Sequence, residues 1–245
     1  QYSKNTAAMT ITVTKDGKPV NEAEVFLDGT SKGKTNASGV LRITGLAAKT
    51  YAVTTDVGTG QRAVTITGTT DTQDSLNYFT VRAVASSPSA KDPYVLVNSD
   101  STGTVAEQVV LEAKSGNSNN VAKVVASPND GYKTPASWSI STTTYQADGT
   151  ANAPTTSSGS NSPYTVSVTG TIVATASFDP VQITLGDGAG SVTWGNTISS
   201  LTKVPAVGYE TGHTFASDTP TYWVKEDDGS WGAENTKNGI KLERN

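Results

Sequence analysis

The chain contains no cysteine, and its 245 residues include a single histidine, His213. Without thiols there can be no disulfide, no thiolate nucleophile and no Cys-ligated zinc or iron–sulfur site. His213 is therefore the one candidate base for a Ser–His–Asp hydrolase, but its neighbours Gly212, Thr214 and Phe215 indicate a loop. No Gly-x-Ser-x-Gly motif precedes a helical pattern. We predict no catalytic residues and no enzymatic activity.

Charge is also scarce. Charged residues make up 16% of the chain, against about a quarter in ordinary globular proteins, and the formal net charge is −4. A slightly acidic chain without a basic patch lacks the electrostatic features that attract nucleic acid or an anionic membrane. No apolar run approaches the length of a membrane span. We expect neither nucleic-acid partners nor a membrane-spanning segment.

Thr, Ser, Gly and Asn take the place of the missing charges, and such uncharged, hydroxyl-rich sequences are typical of secreted and cell-surface β proteins. The chain starts at Gln1 rather than Met, which a cleaved secretory signal would explain. We therefore expect an extracellular or cell-surface location.

Strand alternation dominates the pattern, and helical periodicity is nearly absent. Residues 9–14, MTITVT, place three apolar side chains on one face and three threonines on the other, and Asp16-Gly17 follows as a turn. About seven short strands at roughly ten-residue spacing predict a β-sandwich in the first third of the chain.

Three stretches of this region have a recognisable order of strands and turns: ITVTKDGKPVNEAEVFLDG, KTNASGVLRITGL and TYAVTTD. Gly17 and Gly39 allow turn dihedrals that other residues resist. Over about residues 8–85 this order resembles the carboxypeptidase regulatory-like (transthyretin-like) β-sandwich family. Lys49 departs from it, because the family often has Gly there, and this leaves the turn type open. The resemblance implies a binding or spacer module without catalysis of its own, and fold likeness alone does not determine function.

The fold class we predict is all-β, with an Ig/transthyretin-like sandwich followed by a larger β-sandwich-like domain with long loops. The predicted boundaries are a first domain at 1–85, a Ser/Ala/Pro linker at 86–93 and a second β-rich domain at 94–245. Residues 105–113 fit either a helical face or a buried strand. Residues 146–162 are rich in Ser, Thr, Asn and Gly and are predicted as a loop.

The N-terminal strand is a candidate assembly element. Met9, Ile11 and Val13 form its apolar face behind the polar segment 1–6. Such a strand can leave its own domain and complete the sheet of a neighbouring copy, which is donor-strand complementation. The alternative is that it pairs within its own sandwich, which leaves only about the first six residues free to reach a neighbour.

Aromatic residues gather near the C-terminus. They suit a sugar-stacking platform, and equally well core or interface anchors. The residues are Tyr209, Tyr222, Trp223 and Trp231.

Modification and metal sites are the remaining candidates. Asn36-Ala37-Ser38 is a glycosylation acceptor on a predicted turn. Lys15 and Asn77, with Asp56 as assisting acid, have a permissive spacing for an intramolecular isopeptide bond. We expect no cofactor, with structural calcium as an alternative, although none of the oxygen-rich turns has EF-hand spacing. The calcium candidates are Asp130, Asp187, Asp227 and Asp228.

These features favour a non-catalytic, secreted structural protein: a subunit of a filament, a pilus-like fibre or a surface layer, with other copies of itself as its partner. Two alternatives stay open. One is an adhesin or carbohydrate-binding module that contacts cell-surface glycans through the C-terminal aromatics. The other is a virion accessory protein, either a decoration or a tail protein.

Overall fold

The computed structural model describes the side chains and backbone of residues 6–98 and 105–181. Beyond them it describes the strand backbone of residues 182–185, 190–193, 197–198, 222–225, 231–232 and 240–242. Within these ranges the secondary structure consists of strands and turns, and no helix there has the length and apolar character needed to cross a bilayer. The predicted all-β class is confirmed for this part of the chain.

The first strands arise where apolar and polar residues alternate, since successive side chains of a strand point to opposite faces. They are β1 (Ala7–Lys15), β2 (Lys18–Pro19), β3 (Glu24–Leu27), β4 (Thr30–Lys34), β5 (Val40–Leu46), β6 (Thr50–Thr55), β7 (Gln61–Thr65) and β8 (Thr72–Ala85).

Eight further strands follow before residue 181. They are β9 (Ala90–Val97), β10 (Glu107–Leu111), β11 (Asn117–Ser118), β12 (Ala122–Pro128), β13 (Tyr132–Thr143), β14 (Thr155–Ser160), β15 (Tyr164–Val166) and β16 (Thr171–Pro180). The C-terminal strands are β17 (Gln182–Leu185), β18 (Gly190–Thr193), β19 (Thr197–Ile198), β20 (Tyr222–Lys225), β21 (Trp231–Gly232) and β22 (Ile240–Leu242).

The chain divides into two compact units. One comprises residues 1–127 and 136–177, and the other comprises residues 128–135 and 178–245. In the second unit, β17 and β18 form an antiparallel pair, and a separate sheet has the order β19-β22-β20-β21. Residues 86–89 of the predicted linker connect β8 to β9, and its residues 90–93 belong to β9. The domain limits read from the sequence stay a prediction.

The first unit contains a β-sandwich with one continuous core. Its larger sheet has the order β14-β13-β16-β8-β1-β2, with β10 beside β8 and β5 beside β1. A second sheet has the order β11-β7-β6-β3-β4, and a three-stranded sheet the order β15-β12-β9. Met9, Ile11 and Val13 of β1 pack in the same core as Val25 of β3 and Val53 of β6, and all five are fully buried.

Strand β8 is the longest of the described strands and pairs with three others. Its first half runs parallel to β1, with Met9 opposite Thr72 and Lys15 opposite Tyr78. Its second half runs antiparallel to β10 and parallel to β16, where Ile172 lies opposite Val81. Strands β1 and β16 pair one after the other along the same edge of β8, and β10 pairs along the other edge. This one strand therefore joins the N-terminal sandwich to the strands that follow it.

In two segments the sequence pattern did not predict the secondary structure that the fold contains. Residues 105–113, which fit helix or strand, contain β10. Residues 146–162, predicted as a loop, contain β14, which pairs in register with β13 from Ser160 back to Thr155. Strand β14 has the sequence TTSSGS and is largely exposed, so it lacks the apolar alternation by which a half-buried strand is recognised.

Tyr78 is a fully buried polar residue in this core. Burial raises the pKa of its phenol, and neighbouring Thr55 offsets that rise only in part. Among the described residues, its hydroxyl makes no hydrogen bond of regular geometry. A buried hydroxyl without a well-formed bond carries a desolvation cost that a phenyl ring would not.

We predict that Tyr78→Phe leaves the free energy of unfolding at neutral pH unchanged or raises it by up to about 1 kcal/mol. Above the ordinary tyrosine value of 10.0, the unfolded wild type binds fewer protons than the folded one, so its stability falls as pH rises. The variant lacks this contribution, so its advantage should grow with pH. Urea unfolding at neutral and alkaline pH measures both effects. A loss above about 1 kcal/mol at neutral pH would mean that the hydroxyl is hydrogen-bonded.

Candidate functional site

Asp16, in the turn that follows β1, is a described residue whose carboxylate binds groups of two other strands. Its φ of 48° lies in the left-handed region, which aspartate tolerates better than most residues. Its amide donates to the Tyr78 carbonyl (2.9 Å), and the Thr80 amide donates to Asp16 Oδ1 (2.8 Å). In a parallel ladder that second acceptor would be a backbone carbonyl. The carboxylate thus continues the β1–β8 ladder by one step while the backbone turns away.

The same carboxylate also reaches β16. Thr171 Oγ1 donates to Asp16 Oδ1 (2.5 Å), and Thr80 Oγ1 donates to Asp16 Oδ2 (2.6 Å). Thr171 Oγ1 and Tyr145 Oη are 2.8 Å apart. Because the single Thr171 proton is given to the carboxylate, Tyr145 must be the donor to Thr171. We call Asp16, Thr80, Tyr145 and Thr171 the Asp16 cluster; it joins β1, β8, β16 and the loop after β13.

Close packing keeps Tyr145 in this position. Gly17 has a φ of 75°, and a Cβ there would lie 2.4 Å from the Tyr145 ring. A Cβ on Gly149 would lie 2.5 Å from the Gly17 carbonyl oxygen. The ring of Tyr145 is nearly parallel to that of Phe79, with centroids 6.1 Å apart. Glycine is therefore required at both positions for the loop to approach the turn.

A polar cleft of about 320 Å³ lies beside the cluster, between Thr14, Asn77, Glu112 and Tyr145. Asn77 Oδ1 accepts from Thr14 Oγ1 (2.9 Å), and Asn77 Nδ2 donates to Glu112 Oε1 (3.1 Å). The side chain of Asn77, the candidate isopeptide partner, is thus hydrogen-bonded to Thr14 and Glu112. Lys15, the other candidate, is paired with Tyr78 in the β1–β8 register.

A second carboxylate holds the other end of β1. Asp71 accepts the Ala8 amide through Oδ1 and the Arg42 guanidinium through Oδ2, both at 2.8 Å. The Ala8 amide, and to a lesser degree Arg42, lower the pKa of Asp71 below its ordinary value of 3.8. Both ends of β1 are therefore fastened by aspartate side chains.

Arg62 and Asp74 form a mostly buried ion pair that links β7 to β8. Arg62 Nε is 3.0 Å from Asp74 Oδ2, and Arg62 Nη1 donates to the Ser115 carbonyl (2.5 Å). Both side chains are less than a fifth exposed. Arg62 and Asp74, like Asp16 and Asp71, therefore bind fixed partners on neighbouring segments.

Met9, Ile11 and Val13, the predicted assembly residues, are fully buried in β1. Strand β1 lies between β5 and β8 in its own sheet, which is the intramolecular alternative considered for this strand. A donor role for the three residues in another copy stays a prediction.

The C-terminal candidates are placed only in part. Tyr222 and Trp223 lie in β20 and Trp231 in β21, but their side chains are outside the described residues. Tyr209 and His213 lie outside the described residues altogether.

The glycosylation candidate Asn36 occupies an exposed turn, as predicted for its segment. Its Oδ1 accepts the amides of Ser38 and Val40, both at 3.0 Å. Use of this acceptor stays a prediction.

Of the calcium candidates, Asp130 lies at an exposed turn after β12. Within the described part of the chain, no three His, Asp or Glu side chains come together as a metal-binding group. Asp187, Asp227 and Asp228 lie outside the described residues.

The Asp16 cluster was not predicted from the sequence, where Asp16-Gly17 is an ordinary hairpin signal. Thr80 and Thr171 are 64 and 155 residues from Asp16 along the chain, so no local pattern connects them. The one available signal was an aspartate directly after a strand, because aspartate side chains often bond to nearby backbone amides.

The fold and the cluster together define an all-β, sandwich-like protein in which the carboxylates of Asp16, Asp71 and Asp74 connect different segments. No family model and no curated protein matches the chain, so the regulatory-like resemblance stays a prediction. Among solved structures, the chain is similar to the major pilin subunit of Bacillus cereus, with 10% identity and a TM-score of 0.24. That match covers 97% of this chain and 96% of the pilin chain. At such a TM-score the likeness carries no argument on fold or function.

We predict that Asp16→Asn lowers the free energy of unfolding by about 1–3 kcal/mol, because it replaces charge-assisted bonds to Thr80 and Thr171. Asparagine also tolerates positive φ, so the backbone is preserved. Asp28→Asn is the matched control: Asp28 also precedes glycine at positive φ, but its ion pair with Lys49 is solvent-exposed. The control should lose less stability in urea unfolding. An equal or larger loss at Asp28 would contradict a special role for Asp16.

We predict that Asp71 contributes to acid unfolding. Because its folded pKa is lowered, its stabilisation is present above 3.8 and is lost as pH falls through the lower folded value. The stability difference between wild type and Asp71→Asn should therefore shrink as pH falls below 3.8. Arg42→Gln should preserve much of the pH dependence, since the bond to the Ala8 amide is the larger cause. A pH-independent difference in urea unfolding would contradict this assignment.

Proposed function

We propose that this chain is a non-catalytic structural protein that acts outside the cell, as a subunit of a filament, a pilus-like fibre or a surface layer. The observation that carries the proposal is the Asp16 cluster. There a partly buried carboxylate is held by an amide and two hydroxyls that belong to two other strands.

A carboxylate that acts as a general acid or base needs an oxygen within hydrogen-bond reach of the substrate. Both oxygens of Asp16 are instead bonded to fixed donors, and the same is true of Asp71. The Arg62–Asp74 pair likewise joins β7 to β8. In all three cases charged side chains hold segments of the same chain together, and this supports a structural role.

Composition supports the same role. The chain has no cysteine, and 16% of its residues are charged. A cysteine-free sandwich does not depend on the redox state of its surroundings for folding. This suits a protein that must persist outside the cell.

A homopolymer of head-to-tail contacts would grow as an open fibre where successive rotations do not close a ring. Two routes to such contacts differ in what β1 does. In one route β1 leaves its sheet and completes the next copy. In the other, β1 stays and the segment 1–6 reaches the neighbour.

The position of β1 favours the second route. Withdrawing β1 would expose Met9, Ile11 and Val13, each fully buried and worth about 1.5–3 kcal/mol. It would also break the ladders to β5 and β8. We therefore assign the contact to the segment 1–6, with β1 as its fixed base.

We predict that the purified chain forms filaments visible by electron microscopy, and that deletion of residues 1–6 abolishes them. A disulfide lock separates the two routes: Thr10→Cys with Arg42→Cys joins residues that lie opposite each other on β1 and β5. The chain has no other cysteine, so the lock is unambiguous. The oxidised form should polymerise as well as its reduced form, which is the matched control.

Polymerisation only after reduction would show that β1 must leave its sheet. A wild-type chain that stays monomeric in sedimentation at high concentration would overturn the structural proposal. Monomers that bind neutral glycans would instead favour the second candidate, a carbohydrate-binding module. The observation in its favour is the polar cleft beside Thr14, Asn77 and Glu112.

A further inference from the structure

Strands β1, β8 and β16 all run in the same direction. Strand β1 is parallel to the first half of β8, and β16 is parallel to its second half. Both lie along the same edge of β8, because β10 occupies the other edge at Tyr78, where β1 pairs, and at Val81, where β16 pairs. Strand β1 ends at Lys15, opposite Tyr78, and the β16 pairing begins with Ile172, opposite Val81. Along this edge of β8, β16 therefore starts near the point where β1 ends, and we call this point the step.

This arrangement determines how tension would act on it. The chain enters β1 at its N-terminal end and leaves β16 at its C-terminal end. Pulling on these two ends slides β1 along β8 in one direction and β16 along β8 in the other. Parallel ladders have evenly spaced hydrogen bonds, so a sliding force is shared by all the bonds of a ladder. A force that opens a ladder from one end breaks its bonds one after another.

The Asp16 cluster lies at the step between the two ladders. Asp16 follows the last residue of β1, and Thr171 is the first residue of β16. The bond from Thr171 Oγ1 to Asp16 Oδ1 (2.5 Å) connects the two loaded strands directly, and Thr80 of β8 donates two further bonds to Asp16. Tension that separates β1 from β16 therefore acts on this bond as well as on the ladders.

The loaded segments are also protected from water. Leu76, Tyr78 and Val81 of β8 are fully buried, as are Ile11 and Val13 of β1. Water competes for the hydrogen bonds of a strained ladder, so burial of the surrounding side chains slows their replacement. Strand β10 pairs with β8 from Tyr78 to Arg82, across the step.

We propose that β1, β8 and β16 form a load-bearing unit that carries tension along the chain in shear, with the Asp16–Thr171 bond as its clasp. The proposal rests on the proposed function in that a filament supplies the tension. The mechanical property itself belongs to the single chain and is testable without assembly.

The test is single-molecule force spectroscopy on the full chain, pulled in two directions. Thr6→Cys with Ser177→Cys attaches the handles before β1 and within β16, so that both ladders are loaded in shear. Thr6→Cys with Thr70→Cys attaches them at the same end of β1 and β8, so that this ladder is peeled open. The absence of native cysteine makes both attachments specific. At equal tension, the folded lifetime should be at least about tenfold longer in the shear pair.

Thr171→Val tests the clasp, because valine keeps the shape of threonine but cannot donate to Asp16. In the shear pair we expect the lifetime under tension to shorten by about tenfold, since a hydrogen bond to a charged group is lost. In the peeling pair the lifetime should change little, because the β1–β8 ladder opens from Met9 and Thr72. The same substitution is present in both, so a general loss of stability would affect both alike.

Equal lifetimes in the two pulling directions would overturn the load-bearing proposal. An equal effect of Thr171→Val in both directions would overturn the clasp. Neither result depends on polymerisation: a chain that shows the shear effect but forms no filament retains this property and loses only the proposed function.

Discussion

The parallel pairing of β1 with β8 is the constraint on which the described structure depends. It buries the apolar face of β1 in the sandwich core and places the Asp16 turn opposite Tyr78 and Thr80. Since β8 continues past that point, its second half becomes the template for β10 and β16. The N-terminal sandwich and the following strands therefore share a strand, and a change in the register of β8 would displace both.

The aspartates show how the chain uses its few charges. Asp16 supplies an acceptor where the β1 backbone turns away, and Asp71 accepts the Ala8 amide at the start of the same strand. Unpaired backbone amides in a partly buried sheet are costly, and a carboxylate is a strong acceptor for them. With 16% charged residues, the chain places these carboxylates at the ends of a central strand. This is the physical basis of the proposed structural role.

Several elements followed from local patterns. Alternation predicted the strand at residues 9–14, and the Asp16-Gly17 pair predicted the turn after it, where both residues adopt positive φ. Strand β14 did not follow, because its residues are uniformly small and polar and its partner β13 supplies the pairing. The choice between helix and strand at 105–113 likewise depended on β8, whose residues 78–82 offered an edge for β10.

The sequence by itself determined the all-β class, the amphipathic faces of the early strands and the absence of thiol chemistry, because composition and two-residue periodicity act locally. The tertiary structure decided that β1, β8 and β16 run parallel and that Asp16 reaches Thr80 and Thr171. Parallel strands cannot be joined by a tight turn, so their pairing brings together residues far apart along the chain. Contacts of that separation leave no periodic signal in a single sequence, and they arise only when burial and hydrogen bonding select one register.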